Sequence, residues 1–340
     1  MGHRVFLHIG APKSGTTYLQ SLLWTNREHL RARGLLFPGR RPFEQNRASI
    51  EVRSGRHLRG EADVWQRFVR RSRQFDGDTI LSNEWYVAAS PEQVEGMVRD
   101  LGEDRVHVVV TARHLLAQVP AGWQEELKLG SGASLDAFLA QLDDPTAKWR
   151  WGVLDPAVGV EPWAAVLPPE RIHVVTVPTS AADPELLWRR FLGVTGADAA
   201  GTDTGVARRN ESLGAESARL LQEIGPDLLA ATDPGTTPWN ERYRWIRNKV
   251  AHEVLVPLGG SPIGLRPADA AAIQERAEQS VARISAAGYD LVGDPQDLLT
   301  ARVRSGAVHP DDVDVREVLR RAGVVSGALL REVRAASTGS

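Results

Sequence analysis

The chain has 340 residues, 42% of them hydrophobic and 25% charged, with a formal net charge of −2 and no cysteine. That balance fits a folded protein with one large α/β domain or two ordinary ones, and it excludes a disordered chain, a disulfide framework and a thiolate metal site. Nearly cancelling charge leaves no global nucleic-acid footprint, so any anion must be held by a local site.

Residues 1–9 carry an apolar run too short for a signal peptide, followed at once by a polar, glycine-bearing loop. No segment reaches the roughly 18 apolar residues of a membrane span. With the missing cysteines, these readings give the expectation of a cytoplasmic location. Residues 5–9 read as a strand. From Thr16 a helix follows, with Tyr18, Leu19, Leu22, Leu23 and Leu30 at three- and four-residue spacing until Gly34. A short strand at 35–37 ends in Pro38-Gly39. Residues 40–60, rich in arginine and turn formers, lack a clean period and are expected to be irregular and near the site.

A basic amphipathic helix is predicted over 64–75 and a buried strand over 79–82. Ser90-Pro91-Glu92-Gln93 opens the next helix through a capping box. Residues 105–111 are apolar nearly throughout, which predicts a central strand covered on both faces; a helix over 115–127 follows. A further strand at 171–177 and helix at 184–192 continue the alternation, the signature of a parallel sheet with crossover helices. Past residue 205 strand signals disappear, and 215–224, 240–256, 268–287 and 313–333 read as helices. The last of these is basic and amphipathic, either a packing helix or one that meets a membrane or partner.

Strand, glycine-rich turn, then helix is the geometry that offers backbone N–H groups and a helix N-terminus to a phosphate. Gly10 and Gly15 have the spacing of a nucleotide-binding P-loop, but the position after Gly15, where an NTPase carries lysine, is Thr16. The lysine stands inside the loop, at Lys13. A γ-phosphate would thus lose its usual countercharge. A transferred sulfuryl group carries less charge, and one lysine with backbone amides can serve where phosphoryl transfer recruits Mg²⁺.

The string Phe6-Leu7-His8-Ile9-Gly10-Ala11-Pro12-Lys13-Ser14-Gly15-Thr16-Thr17-Tyr18-Leu19-Gln20 resembles the 5′-phosphosulfate loop of the sulfotransferases that use 3′-phosphoadenosine 5′-phosphosulfate (PAPS), in its bacterial form. The resemblance runs from residue 4 to about residue 300 and is specific at the loop. It implies an α/β fold with a P-loop-like parallel sheet flanked by helices, which the strand–helix pattern places over 1–200, with a helical C-terminal layer over 205–300 and a helical extension over 301–340. It also implies PAPS as sulfuryl donor, no required metal, and a hydroxyl or amine of a glycan, lipid or small molecule as acceptor. Lys13 would hold the sulfuryl group and its bridging oxygen, while Ser14, Gly15, Thr16 and Thr17 would cradle the 5′-phosphate.

The family's 3′-phosphate anchor is an arginine at a strand end and a serine about eight residues later. Here Arg113 supplies the arginine, and its fork suits bidentate contact with a phosphate. Ala121 stands at the serine's place, so either Gln118, Gln124 or another residue replaces that contact or the 3′-phosphate is held less tightly. Within Arg208-Arg209-Asn210-Glu211-Ser212-Leu213, Arg209, Asn210 and Ser212 are candidates to close the nucleotide site; a helix start capped by Ser212 accounts for them equally. For the base that takes the acceptor's proton, Glu84 at a strand end leads, with His8 and His57 as alternatives. Glu44 or Gln45 would bear on the acceptor. The helix bearing Trp123, Gln124, Glu125 and Lys128 reads as a cleft wall or as a plain amphipathic helix, and the ten tryptophans as core or as cleft lining. Two rival functions are a P-loop small-molecule kinase and a sulfotransferase-like binding protein without turnover.

Overall fold

Alternation within the first strand sets up the sheet. The computed structural model describes residues 3–56, 63–179, 183–206, 212–232, 239–300 and 305–338, and the chain folds as two compact units. The first unit, Met1–Gln118, Asp143–Arg208 and Ile273–Ala301, contains β1 (Val5–Gly10), α1 (Thr16–Thr25), α2 (Arg27–Ala32), β2 (Leu35–Leu36), α3 (Glu44–Ser54), α4 (Val64–Gln74), β3 (Asp78–Ser82), α5 (Pro91–Leu101), β4 (Val106–Ala112), the start of α6 (Leu115–Leu127), β5 (Ile172–Thr176), α7 (Leu186–Thr195), most of α8 (Pro267–Ala286) and β6 (Asp290–Val292).

The six strands form one all-parallel sheet in the order β2-β3-β1-β4-β5-β6. Val5, Leu7 and Ile9 enter one apolar core with Phe68 of α4 and Val94 and Val98 of α5. Phe6 points to the opposite face, where Leu19 and Leu22 of α1 and Phe191 of α7 pack. This period-two division puts helices on both faces, the α/β architecture predicted from the strand–helix alternation. β4 lies between β1 and β5, the covered central position its valine run requires.

Two expectations are corrected. Residues 44–54 form an eleven-residue helix, α3, within the stretch that reads as irregular. Its buried face is Glu44, Gln45, Ala48, Ser49 and Glu51, mostly polar, so no hydrophobic period marks it. A sixth strand, β6, lies beyond residue 205. It is a three-residue edge strand beginning with Asp290 and has no apolar run to read.

The second unit, Val119–Leu142, Arg209–Ala272 and Arg302–Ser340, is helical among its described residues. Helices Ala215–Ala231 and Val315–Thr338 pack with the segment Tyr243–Leu255, which is wound at the wider π pitch. Arg321 is buried there, donating to Ser217 Oγ at 2.7 Å and to the Gly259 carbonyl at 3.1 Å. No helix among the described residues is long and apolar enough to cross a membrane.

The sheet buries His8 with Nδ1 2.7 Å from Ser82 Oγ and Nε2 3.3 Å from Thr111 Oγ1. Burial pushes its pKa down to about 3, so the ring is neutral. His107 is pushed down to about 4 by burial, with the charges of His173, Arg4 and Arg171 acting the same way. Both groups bind protons more weakly folded than unfolded. Their stabilisation is therefore complete above pH 6.5 and is lost as pH falls through that value toward the folded pKa values. Urea unfolding is expected to lose about 2–3 kcal/mol between pH 7 and pH 4.5 through His8 alone. An unchanged midpoint over that interval would exclude a neutral, buried His8.

Candidate functional site

From the end of β1 the chain enters α1 on the Phe6 face, whereas after β3 it enters α5 on the Val5 face. The carboxyl ends of strands that diverge in this way are where open α/β sheets hold ligands. Residues 10–15 lie there, at the end of β1. Gly10 has φ 117°, and a Cβ there would lie 2.6 Å from the Glu84 carbonyl oxygen. Only glycine allows this close approach of two backbones.

Every carbonyl from Gly10 to Lys13 accepts from a side chain. Thr111 Oγ1 donates to Gly10 O at 3.1 Å, and the Ser14 hydroxyl donates to Ala11 O. Gln118 Nε2 donates to Pro12 O at 2.8 Å, and Arg113 Nη1 to Lys13 O at 3.0 Å. The Ser14 and Thr111 hydroxyls meet at 2.5 Å, and Ala11 N–H donates to Thr111 O at 2.9 Å. Side chains of the β4–α6 segment and Ser14 thus hold the negative ends of these four peptides. Lys13 takes φ 66°, a left-handed conformation costly for a side-chain-bearing residue and held here by its neighbours. Gly15, at φ 85°, is the N-cap of α1; it supplies no side-chain cap, and the first turn carries no acidic residue. The positive end of the α1 dipole and its first-turn amides therefore face no negative side chain of their own helix.

Glu84 follows β3 and starts a short 3₁₀ turn, Glu84–Ala88. Gln20, one turn into α1, donates Nε2 to Glu84 Oε2 at 2.8 Å. Lys13, Ser14, Gly15, Thr16, Arg113 and Glu84 are therefore tied into one cluster by the loop, Gln20 and the strand ends. Thr16 is buried and Thr17 exposed at the start of α1.

Other sequence candidates fall elsewhere. His8 is enclosed in the sheet beneath Thr111. Gln45 spans Pro38 O, at 2.6 Å, and Ser82 N, at 3.0 Å. Glu44 accepts from Arg40 N at 2.8 Å and pairs with Arg67 at 3.0 Å. Both side chains brace their surroundings. Gln124 accepts from Leu213 N at 2.8 Å inside the second unit. Trp123 is fully buried with Nε1 on Ala133 O, and Lys128 is buried against Glu125 at 3.0 Å, which is the amphipathic-helix reading of that segment. Ser212 is half-buried in the second unit; His57, Arg209 and Asn210 lie outside the described residues. Five of the ten tryptophans, Trp65, Trp123, Trp149, Trp163 and Trp188, are core residues.

Sequence reasoning misses Gln20 and Thr111. The available signals are a hydroxyl at the end of a valine run and a polar residue one turn after Thr16. Gln118, one of the alternatives for the missing serine contact, places its amide on Pro12 O.

No family model matches the chain, and no curated protein matches it. Among solved structures the chain is similar to a sulfotransferase from Alicyclobacillus acidocaldarius, at 16% sequence identity and a TM-score of 0.44, over 72% of this chain and 100% of that one.

Proposed function

We propose that the chain is a sulfotransferase, moving a sulfuryl group from PAPS to a hydroxyl or amine of a glycan, lipid or small-molecule acceptor. The observation that carries this reading is the polarity of the loop. Carbonyls 10–13 are taken up by Thr111, Ser14, Gln118 and Arg113, while Lys13 and the N-terminus of α1 supply positive charge at the end of β1. Thr16 stands where a nucleoside triphosphatase needs its lysine, which disfavours the kinase reading.

This donor set suits a phosphosulfate. The first-turn amides with Gly15, Thr16 and Thr17 suit a 5′-phosphate, and the Lys13 ammonium suits a sulfuryl group and its bridging oxygen; buried Ser14, whose hydroxyl and N–H both go to Ala11 O, braces the loop instead. Arg113 would serve the 3′-phosphate side; no metal is needed, and the cytoplasm is the location this reading favours. In the reaction the acceptor oxygen bonds to sulfur, the bond from sulfur to the bridging oxygen breaks with its electron pair, and Glu84 takes the acceptor's proton. Gln20 keeps the Glu84 carboxylate oriented.

Thermal stability measured with the bisphosphate product, or with ATP·Mg²⁺, tests the donor. At about 100 times its Kd the 3′,5′-bisphosphate is expected to add about 2.7 kcal/mol of stability, with or without Mg²⁺. Stabilisation by ATP·Mg²⁺ alone would make the protein a kinase, and bisphosphate binding without transfer to any acceptor a binding protein.

A further inference from the structure

We propose that Arg53, Arg150 and Trp85 form the acceptor-recognition surface of this site, selecting an acceptor whose hydroxyl-bearing ring also carries a carboxylate. The inference rests on the sulfotransferase reading above and names its acceptor class.

The surface begins one residue from the proposed base. Trp85 follows Glu84 directly, and its half-buried indole meets that of Trp149 edge-to-face, with centroids 5.4 Å apart at 70°. Trp149 is 2% exposed and forms a rigid backing. A half-buried indole held edge-on by a second one offers a ring face at little entropic cost. Around it stand cations from two separate stretches of chain. The Arg53 guanidinium, on the last turn of α3, lies 5.9 Å from the Trp85 ring, and Lys148 Nζ lies 5.5 Å from Trp85 and 5.7 Å from Trp149.

Neither arginine is held in a salt bridge by a described residue. Arg53 donates Nε to the Ser49 hydroxyl at 3.2 Å, and Arg150 donates Nη1 to the Ala147 carbonyl at 3.0 Å. Among the described residues neither has a carboxylate within salt-bridge distance. Burial pulls the Arg53 pKa down and the Arg150 charge acts the same way, while Glu84 and Tyr86 act to raise it; Arg150 follows Trp149, the edge-on partner of Trp85, directly in the chain. A guanidinium taken partly out of water without a salt bridge costs free energy. An incoming carboxylate offsets that cost with charge-assisted hydrogen bonds to planar forks. A ring stacked on Trp85 would put such a carboxylate toward the arginines and leave a ring hydroxyl toward Glu84. Neutral rings gain the stacking alone.

The carboxylate can come from an acidic sugar or from an aromatic acid, and the experiment separates them. Quenching of indole fluorescence would be titrated with glucuronate against methyl glucoside, and with 4-hydroxybenzoate against phenol, each with and without the 3′,5′-bisphosphate. At least one acid is expected to bind about 10- to 100-fold more tightly than its neutral counterpart. Arg53→Gln with Arg150→Gln should erase that ratio, while Arg53→Lys with Arg150→Lys keeps part of it. Bisphosphate stabilisation should survive in both variants, which also reports that they fold. Equal affinity for acids and neutral rings, or a ratio unchanged in the glutamine variant, would overturn the acceptor class and leave the donor reading standing. Failure of the bisphosphate to bind the unaltered protein would instead sink the donor reading.

Discussion

Replacing Lys13 by alanine is expected to lower kcat for sulfuryl transfer about 10²- to 10³-fold, the usual effect of removing one preorganised donor from a developing charge. The loss should fall on kcat more than on the KM for the donor. In the proposed reaction phosphate groups are present in ground and transition states alike, so the amides at the start of α1 would bind both, whereas the bridging oxygen would gain charge only as its bond to sulfur breaks. Unfolding free energy should change by less than about 1 kcal/mol, because alanine keeps the left-handed backbone of residue 13 at the same cost. The carbonyl of residue 13 also keeps its bond from Arg113. Steady-state rates with PAPS, beside urea unfolding of both proteins, make the measurement. A variant that retains more than a tenth of kcat would take the sulfuryl-holding role away from Lys13. A variant that loses donor affinity with kcat intact would make the lysine a binding group only.

Lys13, Arg113 and Glu84 are legible in the sequence because each is marked by position: inside a strand–loop–helix turn, or one or two residues past a buried strand. Strand ends in a parallel sheet converge on one crevice, so residues far apart in number can be assigned to one place from the strand pattern alone. The braces leave no comparable mark. Gln118 and Thr111 act on the carbonyls of Pro12 and Gly10, and a carbonyl is the same at every residue. Nothing in the loop's composition announces which distant side chain will satisfy it. From the sequence Gln118 is one of several alternatives for a phosphate contact, a role its polarity and helix position allow equally well.

Secondary structure is hidden at α3 for a related reason. Hydrophobic periodicity detects helices that bury apolar faces, and α3 buries Glu44, Gln45, Ser49 and Glu51. Their compensation comes from particular bonds: Glu51 accepts from Trp65 N at 2.8 Å and Val64 N at 3.2 Å, at the start of α4. The same helix delivers Arg53 to the Trp85 ring. A segment that reads as irregular thus holds one end of β3 and one cation of the proposed acceptor surface.

Gly10→Ala should be the most damaging single-methyl change in the loop, costing about 3–4 kcal/mol of stability. Two effects combine. The residue has φ 117°, a conformation that costs an L-residue about 1–3 kcal/mol. The added Cβ would also stand 2.6 Å from Glu84 O and 3.0 Å from Glu84 Cα. Those are backbone atoms, so no rotamer change relieves the overlap, and overpacking of this kind costs about 1–3 kcal/mol more. Gly34→Ala separates the two effects, since Gly34 has φ 84° and nothing lies within 4 Å of the place its new methyl would take; it should lose only about 1 kcal/mol. Urea unfolding of the two variants gives the comparison, and equal losses would mean that close approach to Glu84 does not hold residue 10. Where Gly10→Ala remains folded, the overlap is relieved by moving the loop and the Glu84 turn apart. Transfer should then fall further than stability does, because the proposed reaction needs Lys13 and Glu84 on opposite sides of one reacting sulfur.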